Sequence, residues 1–300
     1  MTAAEKLTDV VAGSGARRIA FLGLAKNVGK TTALLAVLAE LAARGVPVGT
    51  TSAGRDGEEF DAITGEPKPR FRIHPGQLVA SAAATFEAAS FPAREVVTLP
   101  FSTRFGPIQI RLAEGPGELE VIGPSTASQL ARTAAALEAA GAEILLIDGA
   151  VGRRAFAGAR VSDGVVLSVG MSVASTLEGV RSAAAAAAEL VRLRLPGEDA
   201  RARDRAGALT DDSLRAEPPV PGETLVVEDF TCVFLSAAAR QSLADRGARL
   251  AVRRPARLLA ATSNPTAPAR PPLPARRVFD EISTTLGPTP VFDLVADLES

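Results

Sequence analysis

The stretch from Arg17 to Ser52 constrains the fold of this chain most. "RRIAFLGL" is a short apolar run closed by glycine, of the kind that forms a buried parallel strand. From Thr31 to Arg44, Leu34, Leu35, Val37, Leu38, Leu41 and Ala42 recur at helical spacing, and Gly45 stands where a helix C-terminus is capped. "VPVGTTS" (46–52) then reads as a second strand. Strand, helix and strand in this order make a βαβ unit, whose two strands run parallel and whose sheet must be covered.

The turn inside that unit is "GLAKNVGKTT", and it has the chemistry of a phosphate-binding loop. Glycines let the chain fold tightly enough for backbone N–H groups to point into a concavity, and the following helix adds its positive end. Lys30 would reach the β- and γ-phosphate oxygens, and the Thr31 hydroxyl would ligate magnesium. The spacing is unusual: G-x-x-x-x-G-K-[ST] would put its first glycine at 24, which is Leu24, and the glycine is Gly23. The candidate nucleotide-binding residues are Gly23, Lys26, Asn27, Val28, Gly29, Lys30, Thr31 and Thr32. Lys26 reads equally as a solvated loop lysine. The competing reading, a strand–helix turn that happens to contain Gly-Lys-Thr, is disfavoured by the strand before it, the periodic helix after it and the doubled threonine.

Composition narrows the chemistry. The 33 Lys and Arg nearly cancel the 34 Asp and Glu, and Trp and Tyr are absent, so neither nucleic acid nor an anionic membrane is an expected partner. Cys232 and His74 are the only cysteine and histidine, which excludes disulfide frameworks and zinc cages. A Ser-His-Asp triad would need His74, and no nucleophile elbow accompanies it. The expected metal is therefore a hard cation on oxygen ligands, magnesium first. No run approaches the ~18 apolar residues of a membrane span and the N-terminus lacks a long apolar region, so the chain is expected to be cytoplasmic.

The remaining pattern predicts an α/β fold: a mostly parallel sheet with helices on both faces, in one domain over 1–300. Short β-prone runs broken by Pro and Gly ("PKPRFRIHPG", "QLVASA", "REVVTLPFSTRFGPIQIRLA", "GELEVIG") mark a β-rich insertion over 65–125. A helix is expected over 127–140, strands over 142–150 and 163–170, and an Ala-rich helix to about 193. Residues 196–222 are charged, Pro-bearing and nonperiodic, and are expected to form an exposed, mobile connection. Beyond it the expected elements are a strand at "TLVVEDFTCVFL", a short helix from Ala237, a core strand at "ARLLAATSNP", a helix over 276–286 and a final strand at "TPVFDLV".

Three more places carry chemistry. Asp148 closes the apolar strand "AEILLIDGA", where a carboxylate beside a phosphate loop holds magnesium, or alternatively caps the next segment. "TSAGRDGEEFD" follows the second strand, and its Asp56 is the candidate to bind magnesium or orient an attacking water. Glu58, Glu59 and Asp61 read as an acidic turn, and Arg55, Arg153 and Arg154 as either transition-state charge or ordinary surface arginines. In "TSNPTAP" (262–268), Asn264 can donate and accept, as reading a base edge requires, or it simply opens an Asn-Pro turn.

The G-x5-G-K-T-T spacing resembles the loop of the P-loop branch that contains dethiobiotin synthetase and cobyrinic acid a,c-diamide synthase, in which the extra residue is normal. "TSNPTAP" is similar in position to the loop that contacts adenine in that branch, which implies base contacts at Asn264 and Pro265. Two segments depart from those synthetases: their Glu-Gly-Ala-Gly-Gly is Asp148-Gly-Ala-Val-Gly152 here, and their Lys-Pro after the second strand is Ser52-Ala-Gly-Arg-Asp56. A closer likeness, covering most of the chain outside about 196–222, is to ATP-binding reactivase subunits associated with lysine 5,6-aminomutase. "GLAKNVGKTT", "TSAGRDGEEFDAITGEPKPR", "GPST", "LIDGAVGRRAFA", "SDGVVLSVGMSVA", "SNPTAP" and "PVFDL" carry it, in that order. The likeness implies an ATPase with ATP and Mg2+ as cofactors, which restores an adenosylcobalamin-dependent aminomutase by expelling damaged cofactor. Lys30 and Asp56 would then be catalytic, and Thr31, Asp56 and Asp148 would hold the metal. A ligase phosphorylating a small carboxylate and a non-hydrolysing nucleotide-binding regulator are the alternatives, and the assembly is open between monomer and homodimer.

Overall fold

The computed structural model describes residues 1–53, 70–149, 161–198, 201–268 and 271–300. Arg55, Asp56, Glu58, Glu59, Asp61, Arg153 and Arg154 lie outside these residues. The chain opens with α1 (Ala3–Gly13), β1 (Arg18–Gly23), α2 (Lys30–Ala43) and β2 (Val48–Ser52). It continues with β3 (Phe71–Ile73), β4 (Leu78–Ala82), α3 (Ala83–Glu87), β5 (Ala93–Thr103), β6 (Gly106–Ala113) and β7 (Gly117–Leu119). Then come α4 (Ala127–Ala139), β8 (Ile144–Asp148), β9 (Gly164–Gly170) and α5 (Leu177–Val191). A run of short elements follows: β10 (Ala202–Asp204), β11 (Leu209–Thr210), α6 (Asp211–Ala216), β12 (Thr224–Val227), β13 (Val233–Phe234), α7 (Ala237–Asp245) and β14 (Arg249–Val252). The chain closes with β15 (Arg257–Asn264), α8 (Ala275–Leu286), β16 (Val291–Asp293) and β17 (Leu298–Glu299).

Ten strands form one sheet in the order β17-β16-β15-β9-β1-β8-β2-β4-β6-β5. From β16 to β4 every pairing is parallel, and the antiparallel pairings lie at the two margins. Alternate residues of β1 explain the layers. Ile19 and Phe21 pack with Leu34, Val37 and Leu38 of α2 and with Leu7 and Val11 of α1. Ala20 and Leu22 point the other way, into a core shared with Val180 and Ala184 of α5 and Phe279 and Ile282 of α8. α4 covers Leu145 of β8 and Leu78 of β4 through Ala134 and Leu137. This is an α/β protein with a large, mostly parallel sheet flanked by helices, compatible with a Rossmann-like arrangement.

Two expectations change in form. The β-rich segment after residue 65 does not stand apart from the frame. β4 is buried along its whole length and pairs parallel to β2, and β6 and β5 add antiparallel strands, so the segment widens the main sheet. The expected connection over 196–222 contains β10, β11 and α6. Leu209 and Leu214 are buried in the same core as Val165 and Leu167, and Thr210 and Ser213 form a capping box on α6. Elements of two, three and six residues are too short for hydrophobic periodicity to reveal. β10 joins β12 and β14 in a small parallel sheet whose Leu225 and Val227 belong to that same core.

α1 follows no long hydrophobic period, yet its start carries a local signal. Thr2 and Glu5 form a reciprocal capping box, and Leu7 and Val11 lie one turn apart on the buried face. Among the described residues, no helix is long and apolar enough to cross a membrane.

Candidate functional site

β1 ends at Gly23, at the carboxyl edge of the sheet between β8 and β9. Leu24 N donates to Ser168 O of β9 at 3.1 Å, and its side chain packs on the core, which accounts for leucine at the position where the common motif has glycine. The glycine one residue earlier has a local reason. A Cβ at 23 would lie 2.9 Å from Val28 Cγ2 and 3.1 Å from Ala25 O, because the turn folds back over its own start. Val28 is its apolar anchor, 1% exposed. Asn27 and Gly29 take left-handed φ values of 60° and 86°.

Gly29 is the N-cap of α2 and offers no side-chain acceptor, so the first turn of the helix carries amides that no capping side chain satisfies. Thr31 is half-buried in that turn, while Lys26, Asn27 and Thr32 are exposed. Lys30 leads the helix, and its Nζ donates to Asp148 Oδ1 at the end of β8. The pair is largely dry, with side chains 16% and 3% exposed. Parallel register sets Asp148 beside Phe21 on one side and Ser52 on the other, so three strand ends meet at one carboxylate. Gly149 keeps them close: its N–H donates to Phe21 O at 3.0 Å, and a Cβ there would come within 2.9 Å of that oxygen.

A further contact at this edge joins residues far apart in the chain. Ser52 Oγ donates to Val121 O and accepts from Gly123 N, each at 2.9 Å. A Cβ on Gly123 would stand 1.6 Å from Ser52 O, so only glycine fits. The one sequence trace of this crossing is the glycine that ends "EVIG" after an apolar run. On the far side, Asn264 ends β15 and its Nδ2 donates to Asn27 O at 3.0 Å, while Pro265 follows it half-buried.

The structure thus brings Gly23, Asn27, Val28, Gly29, Lys30, Asp148 and Asn264 to one end of the sheet. Among the described residues, no group of three or more His, Cys, Asp or Glu side chains could hold a metal. The Asp148 carboxylate and the Thr31 hydroxyl are the hard oxygen donors that could hold a cation such as magnesium at this end of the sheet. Three clefts, of about 380, 790 and 310 Å3, lie elsewhere: beside α6 and α7, at the amino ends of the strands near Arg192 and Arg257, and around Glu118 and Glu120. Charge and converging strand ends mark the candidate site. The chain matches no protein-family model, no curated protein and no solved structure.

Proposed function

We propose that this protein is a magnesium-dependent ATPase whose 23–32 turn receives the phosphates of ATP, and that its turnover reactivates an adenosylcobalamin-dependent aminomutase. The observation that carries the nucleotide reading is the Lys30–Asp148 pair, which brings a cation and a carboxylate together under an uncapped helix start at the end of a central parallel strand. A triphosphate–magnesium complex needs these groups together: a lysine and backbone amides for the phosphate oxygens, and a carboxylate and a hydroxyl for the metal. When bound, magnesium would neutralise charge developing on the transferred phosphoryl group. Lys30 and the amides of the turn bind and orient that group, and Thr31 and Asp148 hold the metal. Asp56 is proposed to position water or metal, on the strength of its place after β2. Asn264 and Pro265 flank the nucleotide on the β15 side. The aminomutase partner rests on the likeness of the motif series alone. In that reading, loss of the γ-phosphate releases loops that it held, and the partner senses the release.

The test is ATP hydrolysis by the protein alone, with small carboxylic acids, and with an inactivated adenosylcobalamin-dependent aminomutase. Stimulation by the aminomutase only is the expected result. Stimulation by a small acid would make the protein a ligase, and tight ATP binding with no turnover in any arm would make it a regulator.

A further inference from the structure

Asn264 faces the 23–29 turn with both sides of its amide committed. Oδ1 accepts from Thr266 N at 3.0 Å and from Thr266 Oγ1 at 2.7 Å, and Nδ2 donates to Asn27 O at 3.0 Å. The network assigns the amide orientation, because a flipped amide would set its NH2 against the Thr266 N–H. β9 fixes the residue itself. Asn264 O accepts from Met171 N at 3.0 Å, and a Cβ on Gly170 would come within 2.6 Å of that oxygen and 2.9 Å of Asn264 Cβ. Glycine at 170 therefore lets the end of β15 lie close enough to reach the turn.

What Asn264 contacts is a residue in an uncommon backbone conformation. Asn27 and Asp297 are the two non-glycine residues with positive φ among those described. The left-handed region is uncommon for any residue with a Cβ, although asparagine tolerates it better than most, so an outside contact shifts the balance at Asn27. Two residues on, Gly29 takes the same region beside Asn264, where a Cβ would be 3.8 Å from Nδ2. The peptide planes that aim the amides of the turn are set by these two positions.

We infer that Asn264 is a positioning residue that clamps the Asn27 carbonyl and so holds the turn in its phosphate-receiving shape, instead of reading the nucleotide base. This rests on the nucleotide reading proposed above. Three probes, inorganic tripolyphosphate, ATP and GTP, titrated calorimetrically with Mg2+, separate the roles. Asn264→Ala should weaken all three by one common factor, about fivefold to tenfold for the loss of a single organising hydrogen bond. Asn27→Gly, which takes the left-handed conformation without steric cost, should recover most of that loss in the Asn264→Ala background. Gly170→Ala should reproduce the loss with the amide intact.

Weakening confined to ATP, with tripolyphosphate unaffected, would overturn the inference and make Asn264 a base contact. Equal weakening that Asn27→Gly fails to recover would also overturn it. Amide hydrogen exchange over residues 24–30 in the nucleotide-free protein should rise in Asn264→Ala, and unchanged exchange refutes the clamp. If the wild-type protein binds none of the probes, the nucleotide reading fails while exchange still decides the clamp.

Discussion

Lys30→Ala should cost stability as well as nucleotide binding, and the structure sets the size of both effects. Removing one partner of a fully buried ion pair costs about 3–5 kcal/mol. Lys30 is 16% exposed and Asp148 has a further contact besides Lys30, so the cost here is about 2–3 kcal/mol. At ~2.1 cal/mol/K of unfolding entropy per residue, the 300-residue chain loses about 3–5 °C in Tm. Asp148→Asn placed on top of Lys30→Ala removes the charge left without its lysine, and should raise Tm by about 2 °C over the single variant. ATP at 100 times its Kd adds ~2.7 kcal/mol to the wild type, about 4 °C on the same scale, and should add nothing to either variant. Scanning calorimetry is the suitable assay, since a chain without Trp or Tyr has little intrinsic fluorescence to follow. A double variant no more stable than Lys30→Ala would refute the buried-pair argument. A retained ATP shift in Lys30→Ala would refute the site.

Asp148→Asn alone should raise the magnesium concentration needed for half-maximal ATP binding about tenfold or more, read from a magnesium titration at fixed ATP. Gly123→Ala must displace the β2 end to relieve a contact of 1.6 Å, and should lower Tm well beyond Gly13→Ala, whose Cβ meets nothing within 4 Å. Leu7→Ala, on a helix with no part in the site, should cost about 2–5 kcal/mol by denaturant titration, because the side chain is completely buried. Glu138→Gln should flatten the fall in Tm on the acid side. The Arg18 guanidinium donates Nε to Oε1 at 2.8 Å and Nη2 to Oε2 at 2.6 Å, which holds the Glu138 carboxyl below its ordinary value of 4.5. A carboxyl depressed on folding stabilises above that ordinary value, and the contribution is lost as pH falls through the folded one. The wild type should therefore lose more stability than the variant below about pH 4.5, read as Tm against pH.

Local spacing made much of this molecule legible. The apolar runs at 17–24, 163–170 and 256–265 became the central strands β1, β9 and β15, because a strand buried on both faces cannot hide its composition. Asp148 stood out as a carboxylate closing such a run. What stayed illegible was short or relational: β10, β11 and α6 span too few residues to show a period, and α1 announced itself only through Thr2 and Glu5.

By itself, then, the sequence determined that a glycine-bearing turn would join the buried strand ending near Leu24 to the periodic helix beginning near Thr31, since backbone freedom and hydrophobic period are local properties. Tertiary structure alone decided what that turn faces. Lys30 meets Asp148 across 118 residues, Ser52 meets Gly123 across 71, and Asn264 reaches Asn27 across 237. The first and last of these follow from strand order, which places β8 and β9 beside β1 and β15 beyond β9. That order is set by which buried faces pack together over the whole chain, and no local pattern encodes it.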